Sequence, residues 1–254
     1  MSDIIPSPLP EWETIRYRLP GSLVKGILWS ALTLQRRSFV QDARVALAGL
    51  DPPLEVSGSE NVPARVPILV VCNHYSRPRF DAWWLALAIS AAVAARCVPD
   101  AGSEMSWVMT AAWTFPASRW KHCFLTPLTR WAFRRVAWIY GFIPMPAMPP
   151  APDEVEERAQ AVLETVRLAR RGFSVGLAPE GMDTPDKLSE PPEGVGRFLA
   201  LLVEAGLVVL PVGVTEMGGR LRVSFGPVFV PQIPPDRKER DCSVSRQVME
   251  AIAR

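Results

Sequence analysis

The feature that most restricts the fold is the stretch 68–95. Ile68-Leu69-Val70-Val71-Cys72 is a short, uninterrupted apolar run, the pattern of a strand buried inside a sheet. It ends at Asn73-His74. Six residues separate His74 from Asp81, and residues 82–95 then read as a helix that is apolar all round. A histidine therefore stands where a strand ends, and a carboxylate stands where a helix begins. An imidazole oriented by a carboxylate is the usual general base for a hydroxyl or thiol. The chain has only two histidines, His74 and His122, so the candidates for that task are few. The same residues also have a plainer reading, with Asp81 as the N-cap of its helix and His74 as a partner for backbone groups at a strand end.

The rest of the chain continues this alternation. Helical periodicity is found at 22–34, with Leu23, Ile27, Ala31 and Leu34 on one face, and again at 38–50. Short strands are expected at 54–58, 142–145, 173–178, 208–212, 221–225 and 228–230. Helices are expected at 153–171, 196–205 and 243–254, the first opened by an Asp153/Glu156 capping box and closed by Gly172. Strands alternating with helices between 67 and 212 argue for a layered sheet of βαβ type. The expected fold is thus α/β, a central mixed β-sheet flanked by helices with an N-terminal helical pair. Residues 1–53 form an arm and a helical membrane-docking segment, and 54–254 form the α/β domain.

Charge is distributed unevenly. The net charge of the 254 residues is +2, which gives no general attraction for nucleic acid, and none is expected as a partner. Yet residues 14–41 carry five Lys/Arg and no Asp/Glu, and so do residues 105–150. Both segments contain tryptophan. Trp107, Trp113, Trp120, Trp131 and Trp138 are interleaved with Arg119, Lys121, Arg130, Arg134 and Arg135. Basic, Trp-bearing helices suit an anionic membrane surface; a helix packed on its own domain has the same pattern. The longest apolar run, 82–95, is shorter than the roughly 20 residues a bilayer span needs. The N-terminus lacks the basic and apolar regions of a signal peptide. The expectation is a cytoplasmic protein lying peripherally on the inner face of a membrane. Cys72, Cys97, Cys123 and Cys242 show neither Cys-x-x-Cys nor zinc spacing and fit a reducing compartment, with no metal expected.

Gly172-Phe173-Ser174-Val175-Gly176 matches the Gly-x-Ser-x-Gly nucleophile elbow letter for letter. That elbow needs its serine on a sharp turn from strand to helix. Here a helix precedes the serine and a strand contains it. A serine hydrolase using Ser174 and His122 stands as an alternative on this motif alone. The strand ends carry more. The strand at 173–178 delivers Glu180 at its C-terminal end, as the strand at 68–72 delivers His74, and ligands of open α/β sheets bind at those ends.

An ordered set of segments now resembles a known family. Leu-Glu-Val-Ser-Gly-Ser-Glu-Asn-Val-Pro from residue 54 is followed by Ile-Leu-Val-Val-Cys-Asn-His, a downstream Asp81, Ala-Pro-Glu-Gly at 178–181 and Val-Val-Leu-Pro-Val-Gly-Val at 208–214. Together they resemble the glycerolipid acyltransferases, the family that includes lysophosphatidic acid acyltransferases of phospholipid biosynthesis. The resemblance implies transfer of a fatty acyl group from an acyl thioester, acyl-CoA or acyl carrier protein, to a hydroxyl of a lipid-like acceptor. It implies His74 as base and Asp81 as its partner, with Asn73, Pro179, Glu180 and Gly181 at the acceptor site and no metal or cofactor beyond the co-substrate.

The chain departs from the family pattern in three places. The family spaces its histidine and aspartate by four residues, not six. No arginine follows Gly141 in Gly141-Phe142-Ile143-Pro144-Met145-Pro146, where the family's phosphate contact stands. Met182-Asp183 replaces the family's threonine and basic residue. Arg77, Arg79 or Arg197 are the available substitutes for a phosphate contact. The altered spacing leaves open a second alternative, a catalytically weak lipid-binding relative of the same fold.

Overall fold

The computed structural model describes residues 17–65, 67–77, 80–97, 104–113, 115, 118–147, 151–181 and 188–254. Its organising element is β2 (Ile68–Cys72). All five residues of β2 are at most 1% exposed, so both faces of the strand must be covered. The pleat sends alternate side chains to opposite faces. Ile68, Val70 and Cys72 join a core made with α2 (Phe39–Leu47) and α3 (Trp83–Ala94). Leu69 and Val71 join a second core made with α5 (Val155–Arg170), α6 (Val195–Glu204) and α7 (Arg237–Ile252). Burying an aliphatic side chain stabilises by roughly 1.5–3 kcal/mol, so β2 alone commits the chain to three layers.

The sheet has seven strands in the order β1-β7-β6-β2-β5-β3-β4. These are β1 (Glu55–Ser57), β3 (Ser106–Thr110), β4 (Ile143–Met145), β5 (Val175–Leu177), β6 (Val208–Met217) and β7 (Arg220–Phe225) around β2. Every neighbouring pair is parallel except the β6–β7 hairpin. The result is the mixed, helix-flanked α/β sheet expected from the sequence. Val71 pairs with Leu177 and Cys72 with Val212, so β2 and β5 finish at the same edge, beside β6.

The helical pair, α1 (Gly21–Thr33) and α2, lies against this core. Ser38 caps α2, accepting from the Gln41 N–H at 3.1 Å. α1 packs on α4 (Arg119–Tyr140), while α2 packs on α3. A polar knot fixes the arrangement. The Arg37 guanidinium donates to both Asp42 oxygens at 2.7 and 2.6 Å, and the Tyr140 hydroxyl donates to Asp42 Oδ2 at 2.6 Å. Burial first, and the bond to Asp42 second, raise the pKa of the Tyr140 phenol, so it stays a donor.

Several boundaries differ from expectation. Residues 107–140 divide into β3 and α4, which their aromatic composition conceals. β6 continues to Met217, beyond the expected end at 212, because β7 pairs with it as far as Arg220. Residues 228–230 form only a bridge between Phe229 and Val209. α5 is approached through a 3-10 turn, Pro152–Glu154, which the fixed φ of Pro152 favours. Glu154 reaches back to the Ala151 N–H at 3.3 Å, whereas Glu156, the acid of the expected box, accepts from Gln160. α7 begins at Arg237, capped by Asp236, six residues before the expected start.

Both glycines of the Gly-x-Ser-x-Gly match have structural causes. Gly172 takes φ +82° to end α5. Gly176 lies under Trp107, whose indole N–H donates to the Ser90 hydroxyl at 2.9 Å. A Cβ on Gly176 would come within 2.7 Å of the indole. Gly176→Ala should therefore lower unfolding free energy by about 1–3 kcal/mol through overpacking, measured by urea titration; an unchanged midpoint would show that Trp107 can move aside.

Candidate active site

The site grows from the edge where β2 and β5 end. One residue past β2, the Asn73 side chain donates to the Val214 carbonyl at 2.9 Å and accepts the Val214 N–H at 2.7 Å. It thereby continues the bonding between β2 and β6 after the strand stops. The resemblance puts Asn73 against substrate; in the structure its amide fastens the strand end.

Glu180 is 0% exposed. Its Oε1 accepts the His74 main-chain N–H at 2.7 Å, and its Oε2 accepts the Ser189 N–H at 2.9 Å and the Ser189 hydroxyl at 3.2 Å. A buried carboxylate needs such donors to offset its lost hydration. His74 and Glu180 do meet at one edge, as their strand-end positions predict, through the histidine's main chain. Glu180 thus ties together the segment carrying His74, the end of β5 and the segment at Ser189. Pro179 is buried beside it, and Gly181 is exposed with its N–H on the Ala178 carbonyl at 3.2 Å.

Asp81 is exposed at the start of α3. Its carbonyl accepts the Trp84 N–H at 3.0 Å, and Ala82 rather than Asp81 occupies the N-cap position, with no side-chain cap bond. Arg77 is turned into the protein. Its guanidinium forks onto Glu216 of β6, with Nη2 to Oε1 at 2.5 Å and Nε to Oε2. The Tyr17 and Tyr75 hydroxyls donate to the same carboxylate at 2.7 and 2.9 Å. Arg197 is exposed on α6, 3.7 Å from Glu193. Arg79, Met182 and Asp183 lie outside the described residues.

Two other nucleophile candidates are disposed of by position and pKa. Ser174 precedes β5, where its hydroxyl accepts the Ile68 N–H at 3.2 Å and its carbonyl accepts the Ser106 N–H at 3.0 Å. That is the N-terminal edge of the sheet, about six residues and roughly 20 Å along the strand from His74. A hollow of about 290 Å³ lined by Arg65, Cys97, Arg171 and Ser174 lies at that far edge too. His122 is exposed on α4. The serine elbow is a coincidence of letters, and the hydrolase reading built on it fails. Cys72 adjoins Asn73 but is fully buried; burial first, then the Glu180 charge, push its thiol up to about 12, too high for a thiolate nucleophile.

Tyr17, Tyr75 and Ser189 carry no sequence signal that marks them for this site. Glu216 alone had a usable signal, since Val214-Thr215-Glu216-Met217 prolongs the β6 pattern and places a carboxylate on a strand.

The chain belongs to the acyltransferase family, whose model matches residues 53–215, well over half of its length. Among solved structures it is similar to the 1-acyl-sn-glycerophosphate (LPA) acyltransferase PlsC from Thermotoga maritima, with 15% sequence identity over 92% of this chain and 84% of that one and a TM-score of 0.49. No curated protein matches it.

The bonds of Glu180 yield a direct test. Glu180→Ala should lower stability by about 1–3 kcal/mol for each donor left unsatisfied, seen as a reduced thermal midpoint, whereas Glu180→Gln, which keeps one acceptor oxygen, should lose less.

Proposed function

We propose that the protein transfers a fatty acyl group from an acyl thioester to a hydroxyl of a lipid-like acceptor, with His74 as general base. The observation that carries this reading is the placement of His74 at the C-terminal edge of β2, its main chain held by Glu180 and its neighbour Asn73 held to β6, within the family-matched segment. His74 takes the proton of the acceptor hydroxyl as that oxygen attacks the thioester carbonyl. The tetrahedral intermediate collapses with loss of thiolate, which recovers the proton from the imidazolium. Asp81 orients the imidazole and stabilises its cation. The donor is acyl-CoA or an acyl carrier protein.

The acceptor is neutral at the contacts where the family pattern expects phosphate. No arginine follows Gly141, and Arg77, a possible substitute, has its guanidinium on Glu216. Each charge-assisted hydrogen bond lost is worth about 1.5–3 kcal/mol of acceptor binding, so a sugar-bearing or otherwise uncharged hydroxyl lipid is favoured over lysophosphatidic acid.

The partner surface is the inner, anionic face of a membrane, met from the cytoplasm. Among the described residues no helix is long and apolar enough to cross a bilayer. α1 and α4, packed together, nevertheless expose large apolar side chains. Trp29 is 63% exposed, Trp120 65% and Phe124 63%, with Leu28, Leu32 and Leu128 also out. Arg36 lies over the Trp138 ring at 4.4 Å and Arg135 over the Trp131 ring at 5.5 Å, setting cations among the aromatics. Such a face suits the headgroup boundary.

Turnover of one acyl thioester against a panel of acceptors tests the chemistry. His74→Ala should reduce it by about 10²–10⁴-fold, and lysophosphatidic acid should not be the best acceptor. Retention of more than about a tenth of the rate would remove His74 as base. For the membrane, binding to vesicles containing anionic lipid should weaken as salt rises, since exposed charges more than about 8 Å apart are largely screened at physiological ionic strength; Trp29→Ala with Phe124→Ala should weaken it further. Equal, salt-indifferent binding to neutral vesicles would rule out the anionic face.

A further inference from the structure

The six-residue interval between His74 and Asp81 has a physical counterpart in one buried cluster. Arg77 and Glu216 form its centre, their side chains 7% and 2% exposed. Tyr17 and Tyr75 add hydroxyl donors to the two oxygens of Glu216. The Arg77 guanidinium also lies over the Tyr17 ring at 5.6 Å, and that ring meets Phe80 edge-on at 4.7 Å and Trp84 at 5.2 Å. Phe80, 2% exposed, returns its N–H to the Arg77 carbonyl at 2.9 Å. The ends of the interval's middle part are thus held to each other. Tyr17 and Glu216 both lie outside residues 53–215, the segment matched by the family.

We infer that Arg77, Glu216 and Tyr17 are positioning residues for His74, forming a clasp that fixes Tyr75, Arg77 and Phe80, the described residues around the lengthened part of the His74–Asp81 interval, against β6. The inference rests on the reading of His74 as the base. β6 then holds this segment at two places. Asn73, before His74, is bonded to Val214; Tyr75 and Arg77, after it, are bonded to Glu216 two residues further along the same strand. With Glu180 on its own N–H, the histidine is flanked by fixed points on both sides. The fork of Arg77 on both carboxylate oxygens sets orientation as well as distance, which a lysine ammonium does not reproduce.

The test compares Arg77→Lys, Glu216→Gln and Tyr17→Phe with the paired apolar variant Arg77→Met/Glu216→Leu, measuring amide hydrogen exchange, thermal midpoint, kcat and KM. The clasp predicts exchange at Phe80 about tenfold faster or more in Arg77→Lys and Glu216→Gln, while Leu69 and Val71 within β2 are unchanged. It predicts kcat lower by about ten- to a hundredfold with KM nearly constant, the expected scale for a base displaced by about 1 Å. Tyr17→Phe, which keeps the ring, should show the same pattern more weakly. The paired apolar variant should recover the thermal midpoint, as buried ion pairs replaced by apolar residues commonly do, and leave kcat low. Recovery of kcat along with stability would mean the cluster only supports the fold, and would overturn the proposal. Exchange needs no substrate: unchanged exchange at Phe80 overturns the clasp even in an active enzyme. Absent turnover in the wild type removes instead the base reading and the positioning role resting on it.

Discussion

A strand with no solvent-facing side sets the terms for this protein. Because β2 is buried on both faces, its polar neighbours can only gather at its ends, and its main-chain groups must find partners where the ladder stops. Asn73 and Glu180 meet that demand at the C-terminal edge. Asn73 imitates a further rung towards β6, and Glu180 accepts the His74 N–H from across the end of β5. His74 is thus held through its own main-chain N–H and through its neighbour Asn73.

Three carboxylates out of solvent then do what apolar packing cannot. Burial is non-directional, so it fixes which layers form but not how separate segments align. Asp42 joins the turn after α1 to the end of α4 through Arg37 and Tyr140. Glu180 joins the β2 end to Ser189. Glu216 joins the N-terminal segment at Tyr17 to Tyr75 and Arg77. Each receives several donors, the condition under which a buried charge is tolerated. Each also links residues distant in sequence, so the same bonds that satisfy the charge specify one alignment of the chain.

That difference explains which parts of the molecule were legible in the sequence. The layers follow from local patterns: the unbroken apolar run of β2, the all-round apolar α3, the amphipathic α5. The edge carrying His74 and Glu180 follows from where those runs stop. What escaped depends on contacts between distant residues. The division of 107–140 into β3 and α4 was hidden because tryptophans suit either element. Nothing near Tyr17 announces that its hydroxyl will meet Glu216, 199 residues away. The Gly-x-Ser-x-Gly match misled in the opposite sense: its glycines answer to a helix end and to the Trp107 ring, and its serine sits at the wrong edge of the sheet.

The same distinction bears on which cations a substrate can use. From its position three residues after His74, Arg77 is the natural candidate to hold an anionic headgroup. In the fold it already has an anion, at 2.5 Å, supplied by its own chain and flanked by two phenols. A tethered partner competes with any diffusing ligand at an effective concentration of order millimolar or more. A phosphate that displaced Glu216 would also leave that carboxylate buried without its cation, a state that costs about 3–5 kcal/mol. The substrate phosphate would have to recover that cost before gaining any affinity. An arginine beside a candidate site is therefore not by itself a substrate contact, and this one is engaged by Glu216.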